Sequence, residues 1–190
     1  MKPRSYSRAL DEVLVPMGFE RNGKHWSRIC GDMLEEVEHQ VSQFAGSTAN
    51  LWTKDLATEE LFREAVPWKR PLFMLQTAQR IGYLVSGRDR WWRGDPNGPA
   101  ELAEAIRVHA PPYFESLRSL EAQATRFGRS MEKWGGPASR MYLALTLYRM
   151  GEREEACRAL RNPPKRLTPN WLAEIESVRQ WLGCDTTSGA

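Results

Sequence analysis

Residues 25–56 read HWSRICGDMLEEVEHQVSQFAGSTANLWTKDL, and the periodicity of this stretch decides the fold class. Within 34–44, Val37 and Val41 share one parity, while Glu36, Glu38, Gln40 and Ser42 share the other. That period of two is what a half-solvated antiparallel strand requires. Strand-forming stretches flank it at 25–30 and 49–56, separated from it by the turn formers Gly31-Asp32 and Gly46-Ser47. Together they predict a β-meander with one face wet or turned toward a ligand. Residues 79–86 alternate as well, with Ile81, Tyr83 and Val85 on one parity, and are expected as a fourth strand.

Outward from the sheet the pattern turns helical. Leu10, Val13, Leu14 and Met17 recur at helical spacing behind Ser5 or Ser7 as cap, and Gly18 can take the left-handed stop. A short helix over 58–66 with Thr58 as cap is expected, ended by Pro67, with 68–71 as a loop. The turn-dense 94–99 leads into a helix over about 100–110 that Pro111-Pro112 ends or kinks. After Tyr113 every signal is helical, at 113–127, 137–150, 152–160 and 169–182. The last carries Thr168 as cap, Pro169 at the first position, a stripe of Trp171, Ile175, Val178 and Leu182, and Gly183 as stop. The expected architecture is α+β: an amino-terminal helix, a four-stranded mainly antiparallel sheet and a carboxy-terminal helical bundle or hairpin. The expected domains are an α+β domain over 1–125, a helical extension over 126–184 packed on it, and a disordered tail at 185–190.

Composition excludes more than it selects. Among 190 residues, 41% hydrophobic and 27% charged residues suffice for a core. The net charge of +3 excludes a polycationic nucleic-acid coat. Neither an export signal nor an apolar run long enough for a membrane is visible, so the chain reads as soluble. Cys30, Cys157 and Cys184 form neither a disulfide framework nor a Cys-x-x-Cys motif, and a reducing cytoplasm is the simplest home.

Three blocks, 18–28 (GFERNGKHWSR), Gln40-Val41-Ser42 with Asn50-Leu51, and Arg80-Ile81-Gly82 with Asp89-Arg90-Trp91-Trp92, are similar in order and spacing to the bacterial domain of unknown function 4304 family, over about residues 5–125. The resemblance implies a small α+β domain with an antiparallel sheet and brings no established reaction or ligand. More weakly, 142–160 resembles the hinge of a tetratricopeptide helical hairpin. One copy cannot form an array, so the hairpin is expected to pack on the domain.

No catalytic, metal or cofactor motif is present: there is no HExxH, no Gly-x-Ser-x-Gly elbow and no phosphate loop. His25, His39 and Cys30 would form a ligand set only if their strands brought them together. Two groups remain as binding candidates. Arg28, Gln40, Ser42, Asn50 and Arg80 are polar residues spread over all four strands, and can serve recognition or strand register. The segment 88–93, Arg-Asp-Arg-Trp-Trp-Arg, interleaves cations and indoles as a single-stranded nucleic-acid platform does. Its plainer reading has Asp89 pairing with an arginine, one of Trp91 and Trp92 packing inward, and guanidinium groups stacking on the other. Eight Trp, and 27 basic residues of which all but six are Arg, are types that dominate binding hot spots. The leading expectation is therefore a non-catalytic module of the immunity or regulatory type that binds another protein. The rivals are a small-ligand protein or enzyme using the polar sheet face, and a nucleic-acid binder through 88–93.

Overall fold

A computed structural model describes residues 5–67, 77–93, 96–134, 136–163 and 166–184. It is α+β, and it divides into two compact units, Met1–Lys54 with Gln76–Ser116 and Asp55–Leu75 with Leu117–Ala190. The expected boundary at 125 thus falls inside the second unit, and the expected tail and the 68–71 loop lie outside the described residues.

The first unit opens with α1 (Tyr6–Leu14), whose Ser5 cap accepts from the Arg8 amide at 3.3 Å. A 3-10 turn (Val15–Met17) ends at Gly18 with φ 85°. Five strands follow in the order β1-β2-β3-β4-β5: β1 (Glu20–Asn22), β2 (His25–Cys30), β3 (Met33–Ser42), β4 (Gly46–Asp55) and β5 (Thr77–Arg80). The sheet is antiparallel, with five strands where four were expected. The extra strand, β1, is three exposed residues with no apolar alternation to announce it. The tight reversal at Gly23, φ 64°, pairs Asn22 with His25 and lays β1 along β2.

Burial alternates over Met33–Gln40 of β3 and Ala49–Asp55 of β4, so Val37, Ala49 and Leu51 face the core while Glu38, Gln40, Asn50 and Trp52 face the other way. The core is completed by Leu10 and Leu14 of α1, by Trp26, and by Leu102, Ile106 and Phe114 of α4 (Gly98–Glu115). α1 packs on α4, and the Trp26 indole donates to Asp11 of α1 at 2.8 Å, tying that helix to the sheet.

Two local expectations are corrected here. Ile81–Ser86 is a helix, α3, and not the continuation of a strand. Ile81 and Val85 satisfy both a two-residue and a four-residue period, so the pattern does not decide; the close approach of Arg90 does. A Cβ on Gly82 would lie 2.4 Å from the Arg90 amide nitrogen, and Gly87 at φ 67° ends the helix. α4 continues past Pro111 and Pro112 to Glu115 and does not end at them. The carbonyls these prolines leave without amide donors belong to the exposed Arg107 and Val108, where water can serve them, while Tyr113 and Phe114 anchor the end in the core.

The second unit gathers α2 (Leu56–Ala65), α5 (Leu120–Trp134), α6 (Pro137–Arg149), α7 (Arg153–Leu160) and α8 (Pro169–Leu182). The cap of α2 is Asp55 rather than Thr58: its carboxylate accepts from the Thr58 amide at 3.0 Å and pairs with Arg149 at 2.5 Å. Phe62, Met141, Tyr142, Leu145, Leu160, Ile175 and Val178 share its core. Gly151, at φ 85°, reverses α6 into α7 within this unit, between α5 and α8. The expectation for the cysteines is also corrected: Cys157 of α7 and Cys184, just past α8, are joined by a disulfide with Cα atoms 5.4 Å apart. A sequence gap of 27 residues hides a contact that two neighbouring helices create. Among the described residues, no helix is long and apolar enough to cross a membrane.

Candidate functional site

The face of the sheet turned away from α1 and α4 carries a connected row of polar and aromatic side chains. Register places it: Asn50 lies opposite Arg80 and Trp52 opposite Ala78 across β4 and β5, while Gln40 and Glu38 of β3 share their parity. Asn50 is the hub. Its amide nitrogen donates to Gln40 Oε1 and to Glu38 Oε2, each at 3.1 Å, and its oxygen accepts from Arg80 Nε at 3.4 Å. Arg80 also reaches Gln40 at 3.3 Å and Asp89 at 2.6 Å, and its guanidinium lies 5.0 Å from the centre of the Trp91 ring. At the other end the Trp52 indole donates to Glu38 Oε2 at 3.1 Å.

Three features decide what this row can do. Cross-strand hydrogen bonds fix each side chain on a rigid scaffold, so little ordering remains to be done when a partner arrives. Two indoles, half-buried, flank the row and offer flat apolar contact. Glu38 receives two neutral donors on Oε2, while Oε1 has no side-chain partner and no cation is paired with it among the described residues. The middle of the row is therefore a held carboxylate with acceptor capacity to spare.

Of the residues singled out in the sequence, Gln40, Asn50, Arg80, Asp89 and Trp91 come together here. Arg28 does not: it pairs across with Glu35, on the covered face. There it bonds the fully buried Glu35 carboxylate at 2.8 Å and the Met17 carbonyl at 2.6 Å, and its guanidinium stacks on Phe19. A buried carboxylate needs a counter-charge, so Arg28 is committed to the core wall. Ser42 sits at the strand end, where its hydroxyl accepts from the amides of Phe44 and Ala45 and shapes the β3–β4 turn. Trp92 is 3% exposed and turned inward, its backbone bridged to Ser47. That bridge requires Gly46, whose Cβ would fall 2.3 Å from the Trp92 carbonyl oxygen. Arg90 stacks over the Trp92 ring at 4.9 Å and pairs with Glu101 at 2.9 Å.

The residues missed were Glu38 and Trp52. Both lie at the parity of Gln40 and Asn50, so alternation marked them, but only the pairing of β3 with β4 joins them into one network. The histidines separate. His25 is on the open side, bonded to Glu36 at 2.9 Å, whereas His39 is buried on the covered side and stacked on Tyr6 with ring centres 5.4 Å apart. Burial, with Lys24 and Arg21 adding to it, pushes the His39 imidazole below its usual range. Among the described residues no three His, Cys, Asp or Glu side chains are grouped to hold a metal. No family model matches the chain, and neither does a curated protein or a solved structure.

Proposed function

We propose that this chain is a non-catalytic binding protein of the regulatory or immunity type, which contacts another protein through the open face of its sheet. The observation that carries the reading is the Glu38 carboxylate, held through Oε2 by Asn50 and Trp52, with no cation paired to it among the described residues. A partner that places a lysine or arginine against Glu38 and an apolar side chain against the Trp52 ring matches this surface in charge and shape. The Arg80 guanidinium, clamped between Asp89 and the Trp91 ring, adds a second anchor of a type frequent at hot spots. Kinship with the 4304 family over residues 5–125 belongs to the same proposal, supported by the leading helix and antiparallel sheet that such a likeness implies. So does a bacterial cytoplasm as its home, and the Cys157–Cys184 bond is the observation that weighs against that part.

The test compares wild type with Glu38→Arg and Trp52→Ala in capture from lysate, followed by titration of each captured protein in purified form. A true partner loses about 30-fold or more in affinity with either change, as removal of a hot spot of ~2 kcal/mol requires. Partners that bind all three proteins equally would remove the open face from the reading.

A further inference from the structure

A cavity of about 420 Å³ lies in the first unit, on the far side of the 90–92 segment from the polar row, between α3 and α4. Its size is that of a small-molecule site, for which roughly 300–1,000 Å³ is usual. α4 lines it with the small side chains of Ala100 and Ala105, where larger residues would narrow the gap. Val85 and Val108 close the apolar walls. The Trp92 indole N–H is buried and has no acceptor among the described residues. What Trp92 presents to the cavity is therefore the body of its indole and not the N–H.

The rim decides the charge of the ligand. Arg90 is paired with Glu101 at 2.9 Å, and Glu104 is held by Arg107 through both its oxygens at 2.6 and 2.7 Å. Each carboxylate at the mouth is thus paired with an arginine, and the rim carries no excess of either sign. His109, at the far end of the mouth, has no ring hydrogen-bond partner among the described residues and can both donate and accept.

We propose that this cavity binds a small, flat, electrically neutral molecule with an aromatic body of about two fused rings and one hydroxyl or carbonyl oxygen. The body stacks among Trp92, Ala105 and Val108, and the oxygen pairs with the His109 ring. The site is separate from the polar row, so it stands or falls independently of the partner proposed above.

The probes are 1-naphthalenemethanol, 1-naphthoate and 1-naphthylmethylammonium, which share a ring system and differ in charge, titrated into the full chain by ¹H–¹⁵N spectra that resolve the indole N–H signals. The neutral alcohol is expected to bind at least tenfold more tightly than either ion and to shift the Trp92 indole signal, identified with Trp92→Phe. Ala105→Leu, which narrows the cavity, and Val108→Lys, at an exposed wall position that does not burden folding, should each weaken the alcohol at least tenfold, with Glu38→Arg leaving it unchanged. Absence of alcohol binding at millimolar concentration, an ion binding as tightly as the alcohol, or indifference to both cavity variants would overturn the proposal.

Discussion

Reduction of the Cys157–Cys184 bond should destabilise the second unit by about 3.5 kcal/mol. The bond closes a loop over a sequence separation of 27 residues, running from α7 to the end of α8. In the chain-entropy description a loop of that length restricts the unfolded chain by roughly 12 cal/mol/K, which gives about 3.5 kcal/mol at 25 °C. With a urea dependence of about 1–3 kcal/mol/M, the unfolding midpoint of the helical signal should fall by roughly 1.2–3.5 M when reductant is added. Cys184→Ser, at a half-buried position, should reproduce that fall without reductant, since it removes the link and little packing. A thiol titration in denaturant sets the baseline: one reactive thiol, Cys30, before reduction and three after it. Three thiols without reductant, or equal midpoints in both states, would refute the reasoning. The thiol state of the protein taken directly from cells also bears on its compartment.

His39 is held neutral by burial, so its folded-state pKa lies below the unfolded value of 6.5. The unfolded chain therefore takes up the proton first; this contribution to stability is whole above pH 6.5 and is lost as pH falls through the depressed value. Thermal unfolding between pH 7.5 and 5 should show a steeper fall for wild type than for His39→Gln, and parallel curves would contradict the assignment. Tyr142→Phe removes the phenol that donates to the buried Glu59 carboxylate, and should lower the urea stability of the second unit by about 1–3 kcal/mol. Equal stability of Tyr142→Phe and wild type would show that Glu59 is satisfied without it.

What could be read without coordinates were the elements whose own period and end signals agree. β3 alternates over the eight residues Met33–Gln40 with a half-buried outer face, and α8 carries its proline start, apolar stripe and glycine stop in the right places. The parity of the open face was legible for the same reason: alternation follows from backbone geometry alone. Four features depended on groups distant in sequence. Ile81–Ser86 fits both periods and becomes helical where Gly82 meets Arg90. Arg28 reads as one more polar strand residue until register sets it opposite a buried Glu35. The disulfide exists because α7 and α8 are neighbours. The cavity is lined jointly by alanines of α4 and by Trp92 of the 90–92 segment. Local periodicity is written into adjacent residues, whereas the partner of a charge, a thiol or an empty volume is chosen by which elements pack together.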